Sequence, residues 1–313
     1  MYLDVVVTTR SGAPVTGLQQ QDFTLLDNKA PQAITSFQAF GGSQAPVEVI
    51  LLVDAVNIPY TRLVYERDQI GKFLRANGGR LAHPTALAIF TDTGTQIQEG
   101  SSDGNALSAS LDQADIGLRG ASVRRSSGIY GAEERVQLSL RTLQQLAARE
   151  AARPGRKIVL WVSPGWPLLS GPRVDLSAKQ QRQIFAEIVN LSTALREARM
   201  TLYSIDPLGA GESVLRGSYY QEFVKGVSKP DKVDIGDLGL QVLAAQTGGL
   251  ALNASNDVTA LLQRCMADTE AYYELSFDSL PADHRDDYHH LEVQIAKPGF
   301  VARARQGYYS QPQ

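Results

Sequence analysis

The stretch Val47–Tyr60, VEVILLVDAVNIPY, decides the fold. Six of its first seven residues are apolar, Glu48 being the exception, and the run ends at Asp54. A short segment this rich in Val, Ile and Leu reads as a strand buried on both faces, the habit of parallel sheets. Asp54 falls where such sheets keep their ligand sites, outside the carboxyl ends of the strands. Pro59 suits the first turn of a following helix, where its missing N–H costs nothing.

Outward from this stretch the pattern repeats. A helix is expected over Thr61–Ala76, then the strand TALAIFT (85–91), a turn at Asp92–Gly94 and a short strand TQIQ. A short helix capped by Ser102 or Asp103 follows, then a polar Arg-rich loop and an amphipathic helix over Ala132–Arg149. KIVLWVS (157–163), a Gly/Pro loop, a long helix, TLYSID (201–206), a helix over Asp234–Gln246, LALN and a last helix from Asn256 continue the series. Strands alternating with helices five times imply a doubly wound, mostly parallel α/β sheet with helices on both faces. Right-handed crossovers then gather the loops after Asp54, Ser163 and Asp206 on one edge.

The two ends read differently. Leu3, Val5 and Val7 alternate with Asp4, Val6 and Thr8, and two more short strands flank the Asp27-Asn28 turn. After Glu270, YYELSF, HLEVQIA and VARARQGYY return to β, with Leu291, Val293 and Ile295 alternating with Glu292 and Gln294. Three strands make a poor core alone, so residues 1–46 and 270–313 are expected to form one split, sandwich-like β domain. Residues 47–269 form the α/β domain set between its halves.

Composition excludes several classes. The 313 residues carry a net charge of −3, with 43% hydrophobic and 20% charged residues, as in an ordinary globular protein. That charge gives no general attraction to nucleic acid or an anionic membrane, and no apolar run approaches the roughly 20 residues of a membrane helix. The opening carries no signal-peptide pattern, and its abrupt start reads as a trimmed boundary. Cys265 is the single cysteine and reads as a core thiol. His83, His284, His289 and His290 read as surface residues, and the adjacent His289 and His290 face opposite ways in a strand.

These blocks, taken in order, resemble the bacterial von Willebrand factor A-related domain family over nearly the whole chain. The resemblance is carried by LDVVVTTRSGAPVTGLQQQDFTLLDNKAPQAITSF, ILLVDAVN, RKIVLWVSPGWP, LYSIDPLG, LAAQTGG and PGFVARARQGYY. It implies a von Willebrand A-like α/β domain, export from the cytoplasm and no assigned biochemical activity. Members that bind a divalent ion use Asp-x-Ser-x-Ser after the first strand, a Thr from a later loop and an Asp after the fourth strand. Here Asp54 matches, but Val56 and Ile58 hold the serine positions, Ser127 stands near the Thr position and Ser163 replaces the late Asp. Asp54, with an Asn57 amide and a Ser127 hydroxyl, makes a weak cage for Mg²⁺ or Ca²⁺, so no cofactor is expected beyond such an ion.

Two readings of Asp54 remain open: a metal ligand, or a carboxylate tying down its loop through backbone N–H groups, the second favoured because partner carboxylates are missing. Asp206-Pro207 reads as a strand-end turn rather than as a second ligand. The long loop from Pro207 to Val233 holds Tyr219, Tyr220 and Phe223, residue types suited either to recognition or to pinning the loop. Trp166 extends that surface, and Arg119, Arg124, Arg125 and Arg173 give it a basic rim fit for an acidic partner. The expected function is a non-catalytic module that binds a protein partner through this edge, with a degenerate metal site. The alternatives are a metal-assisted phosphoryl hydrolase using Asp54, which lacks its second carboxylate at Val56, or a structural protein that pairs through edge strands. No nucleic-acid partner and no membrane insertion are expected.

Overall fold

The computed structural model describes residues 1–42, 45–114, 129–166, 176–208, 219–253, 255–279 and 284–310. Strands β1 (Tyr2–Thr9), β2 (Phe23–Asp27), β3 (Ala30–Gln32) and β4 (Ser36–Gly41) precede β5 (Val47–Asp54) and helix α1 (Tyr60–Arg75). Strands β6 (Arg80–Thr91) and β7 (Gly94–Asp103) lead to α2 (Gly104–Gln113) and α3 (Ile129–Glu150). The chain continues through β8 (Arg156–Val162), α4 (Ala178–Glu197), β9 (Met200–Ile205), α5 (Leu240–Gln246), β10 (Ala251–Leu252) and α6 (Val258–Met266). Strands β11 (Ala271–Ser276), β12 (Asp287–Ile295), β13 (Phe300–Arg303) and β14 (Gly307–Ser310) complete it.

The opening stretch does become the central strand. β5 lies between β8 and β6, parallel to both, and every residue from Val49 to Asp54 is 0% exposed. The six strands run in the order β10-β9-β8-β5-β6-β7, with only β7 antiparallel. Chain order reverses between β5 and β8, so Asp54 and Ser163 sit at the switch point of a doubly wound sheet. Helices cover both faces: Val49, Leu51 and Val53 pack with Leu63, Ile70 and Leu262, while Ile50 and Leu52 pack with Leu140, Leu143 and Leu191.

Local chemistry sets the helix ends. Asp103, of the two candidate caps, accepts from the Ala106 N–H at 3.0 Å, and Asp257 does the same for Ala260. Ser177 and Gln180 close a capping box on α4. α5 stops at Gly248, whose φ of +87° favours glycine. Gly249 then passes so close to Leu202 O that a Cβ there would lie 1.7 Å from it.

Two antiparallel four-stranded sheets, β13-β1-β11-β4 and β14-β12-β2-β3, are shared by strands from both ends of the chain. Leu3, Val5, Val7 and Leu275 of the first face Phe23, Leu25, Leu291 and Tyr308 of the second. Val6 and Tyr272 point the other way, into the core of the six-stranded sheet. That explains an apolar residue at a position where alternation demands a polar one.

Several expectations change in detail. The short strand TQIQ is the ten-residue antiparallel β7, because the turn after Thr91 folds the chain back along β6. The helix expected over Asp234–Gln246 is a 3₁₀ turn (Ile235–Leu238) and then α5, separated by Gly239 in extended conformation. The amino-terminal segment makes four strands, since the break at residues 33–35 lets β4 leave β3's sheet and join β11. VARARQGYY splits into β13 and β14 in different sheets. His83 and His289 are buried. His289 Nδ1 lies 2.8 Å from Asp27 Oδ1, and Tyr308 Oη donates to Asp27 Oδ2 at 2.7 Å. Cys265 is buried, as a core thiol is, and burial raises its pKa.

Three arginines, Arg156 buried and Arg199 and Arg303 half-buried, tie the antiparallel sheets to the parallel one. Asp268 accepts from Tyr203 Oη and from Arg303, and its carbonyl accepts from Arg156. Arg156 also stacks on Tyr272, 4.8 Å from the ring centre, and Arg199 bridges Asp4 and Glu274. Asp268→Ala leaves Tyr203 without its acceptor and Arg303 without its counter-charge, with only Gly248 O still accepting from the guanidinium. The expected loss is about 3–5 kcal/mol of unfolding free energy, read as a lower urea midpoint at unchanged slope. A midpoint equal to that of the wild type would contradict this role.

Candidate functional site

Strand β5 delivers Asp54 to the switch point with its side chain fully buried. Its Oδ1 accepts from the backbone N–H of Val56 and of Asn57, each at 2.9 Å. Its Oδ2 accepts from Asn57 Nδ2 at 2.8 Å and from Trp161 Nε1 at 3.0 Å. An ionised carboxylate offers about four lone-pair directions, and four N–H donors fill them. The Asn57 amide also donates to Ser139 Oγ on α3 at 2.9 Å, so the loop is stitched to two elements at once. Trp161 is wedged edge-on between Phe90 and Trp166.

The other two strand ends repeat the device. Ser163 Oγ accepts from the Gly165 N–H at 3.0 Å, and Asp206 Oδ1 accepts from the Leu208 N–H at 2.8 Å. In all three cases a strand-end side chain caps the backbone two residues on, which turns the chain sharply out of the sheet. Asp54, Ser163 and Asp206 are therefore brought to one edge, and each spends acceptor capacity on its own loop.

The remaining sequence candidates divide. Trp166 does not extend an outer surface: it is 3% exposed and donates Nε1 to Leu238 O at 2.9 Å. Phe223 is buried over Gly236, with Tyr219 edge-on to it at 5.3 Å. Tyr219 and Tyr220 are half-buried on a 3₁₀ turn whose neighbour is α5. Ser127, Arg119, Arg124, Arg125 and Arg173 lie outside the described residues.

Asn57 Oδ1 is buried with no hydrogen-bond partner among the described residues. An oxygen cage for Mg²⁺ or Ca²⁺ needs several more. Among the described residues no three His, Cys, Asp or Glu side chains group as a metal set. With Asp54 saturated by N–H donors, the described residues alone do not make an oxygen cage for a divalent ion.

Two features had no sequence signal strong enough to single them out. Val64 (57% exposed) and Tyr65 (40% exposed) stand on the first turns of α1, directly after the Asp54 loop. Tyr65 Oη reaches Asn256 O at 3.0 Å, joining α1 to the segment before α6. The run Leu63-Val64-Tyr65 overfills the apolar side of an amphipathic helix, and that excess was the available clue. Glu66 is fully buried on the same helix, and neither carboxyl oxygen has a partner among the described residues. Burial, and then the charge of Asp54, hold its pKa well above the usual carboxylate range.

No family model matches the chain, and no curated protein matches it. Solved structures similar to it include von Willebrand A domains. An aerotolerance-related membrane protein from Bacteroides fragilis is 12% identical, covering 71% of this chain and 98% of that one, with a TM-score of 0.37. The pilus adhesin SpaC from Lactobacillus rhamnosus GG is 12% identical over 99% of this chain and 43% of its own, with a TM-score of 0.40. The chain thus spans less than half of that adhesin. The VWA domain of SpRpn10 is 12% identical over 71% of this chain and 96% of its own, with a TM-score of 0.33. The fold assignment rests on the strand order and burial described above. No helix among the described residues is long and apolar enough to cross a membrane.

Glu66 makes stability fall as pH rises. Its folded pKa lies above the unfolded value, so the stabilisation from its bound proton is full below about pH 4.3 and is lost as pH rises through the folded pKa. Asp237, pushed up to about 7 by burial, acts in the same sense between about pH 4 and 7. Glu66→Met removes the first contribution alone. The variant should gain on the wild type in urea midpoint between pH 5 and pH 8, and a difference independent of pH would contradict the assignment.

Proposed function

We propose that the protein is a non-catalytic recognition module that binds a protein partner at the carboxyl edge of its parallel sheet. The observation that carries this reading is the saturation of Asp54. A nucleophilic carboxylate needs an oxygen open to substrate, and a metal ligand needs a lone pair open to the ion. Both oxygens of Asp54 are buried under N–H donors instead, which favours neither the phosphoryl hydrolase nor a working ion site. In this reading the metal site is degenerate, and its aspartate has become a fastener.

A tied Asp54 loop with exposed apolar side chains beside it suits recognition, since binding there costs little ordering entropy. Of the four large apolar side chains exposed among the described residues, Val64 and Tyr65 stand together beside the Asp54 loop. They supply the apolar anchor, and Asn57 and Pro59 the loop beside it. The partner is a protein with a complementary apolar patch. Residues 1–46 with 270–313 serve in this proposal as a separate β domain carrying the 47–269 recognition domain, in an extracytoplasmic setting.

The test is site-specific photo-crosslinking in the native host, with the reactive side chain placed at Val64, Tyr65 or Pro59, and at Lys29 on the far β-hairpin. Protein adducts at the first three positions, lost on adding Tyr65→Asp to the Val64 and Pro59 probes, are expected. Adducts at Lys29 alone, or none at the α1 positions, would overturn the placement.

A further inference from the structure

Every sheet must end somewhere, and a bare edge strand offers unpaired N–H and C=O groups to any passing chain. Most edges here are guarded. β3 has three residues including Pro31, and β10 has two. β14 is buried along its whole length, with Tyr309 edge-on to Phe185 of α4. β7 carries Glu99 and Asp103 and shifts register against β6. β13 is four residues long and ends in the ion-paired Arg303.

β4 is the exception. Its six residues, SFQAFG, pair with β11 without a register shift, carry no charge and no proline, and are exposed except for the half-buried Phe37 and Phe40. Gly42 N–H donates to Glu270 O, which makes Gly42 and Glu270 a hydrogen-bonded pair. Alternation in an antiparallel ladder then turns the N–H and C=O of Phe37, Ala39 and Gly41 outward. Among the described residues no hydrogen bond reaches these groups. The strand is nonetheless held firmly. Phe37 stacks on Tyr273 at 5.9 Å between ring centres, and Phe40 stacks on Tyr272 at 4.9 Å. Beside it opens a groove of about 530 Å³, lined by Phe23, Ile34, Gln20, Gln21 and Gln32 among others, with no charged residue. Phe23 in that groove touches Phe37, with ring centres 5.5 Å apart.

We propose that β4 is a self-pairing edge: a second copy of this chain adds its own β4 antiparallel to it across a two-fold axis. The sequence of the strand argues for a copy over a different chain. Two-fold antiparallel pairing sets the strand against itself, so any charge near the axis would meet its like. SFQAFG contains none. The register centred on Ala39 uses every outward N–H and C=O of both strands and places Gly41 opposite the Phe37 ring of the other copy, where a side chain would crowd it. The pairing joins two four-stranded sheets into one and covers the uncharged groove beside each.

The experiment is sedimentation equilibrium of the wild type, Ala39→Lys, Ala39→Glu and an equimolar mixture of the two variants. Ala39 is exposed and its N–H points outward, so neither substitution touches the ladder to β11. Circular dichroism and the thermal transition verify that both variants fold. The wild type is expected to dimerise, each variant to weaken the dimer about tenfold or more through like charges at the axis, and the mixture to restore it. A monomeric wild type at concentrations on the order of 100 μM, or a dimer that ignores both substitutions, would overturn the proposal. The former outcome would hand the edge to a strand from another protein. Tyr65→Asp, which tests the α1 surface, should leave the dimer intact, so the two readings fail separately.

Discussion

A negative charge with no route to water must be met by donors, and Asp54 is met by four. Much of the carboxyl edge follows from that requirement. The two backbone donors fix the turn out of β5 and so the entry into α1. Asn57 carries the network to Ser139 on α3, and Trp161 carries it to β8, where its indole packs on Phe90 and Trp166. Removing the charge would free the loop, the start of α1 and the indole together. Ser163 and Asp206 apply the same capping chemistry to their own strand ends, so each of the three loops leaves its strand through a self-tied turn.

The fold was legible because it depends on apolar periodicity. VEVILLV and KIVLWVS contain too few polar residues to be anything but strands buried on both faces, and the helices between them carry a visible apolar side. Boundaries slipped where local chemistry competes with periodicity, as at Gly239, where an extended residue interrupts an otherwise helical pattern. The site was less legible. Asp54 stands out in the sequence because it ends the central strand, yet nothing in the sequence shows that Trp161, 107 residues away, donates to it. His289 looked like a surface residue because its partner Asp27 lies 262 residues away. Trp166 looked like a surface aromatic because it sits in a Gly/Pro loop, and only the path of the 3₁₀ turn at Ile235–Leu238 shows the carbonyl that buries it. Glu66 could not be told from an exposed helical glutamate without knowing which side of α1 meets the sheet.

The molecule thus presents two surfaces with different physical logic. In the proposed recognition role the α1 surface offers side chains, a pair of apolar anchors beside a tied loop, and would select by shape. The β4 edge offers backbone, which is indifferent to sequence except through the charges it excludes. A module that copies itself through one and reads a partner through the other would engage that partner in pairs, raising avidity without any new contact.

The measurement closest to the central claim is calorimetric titration of the purified protein with Mg²⁺, Ca²⁺ and Mn²⁺, with Asp54→Ala as control. Saturation of Asp54 by its four N–H donors predicts no binding heat from any of the three ions. Micromolar binding by the wild type that disappears in Asp54→Ala would contradict it, and would mean that the carboxylate gives up its loop to hold an ion.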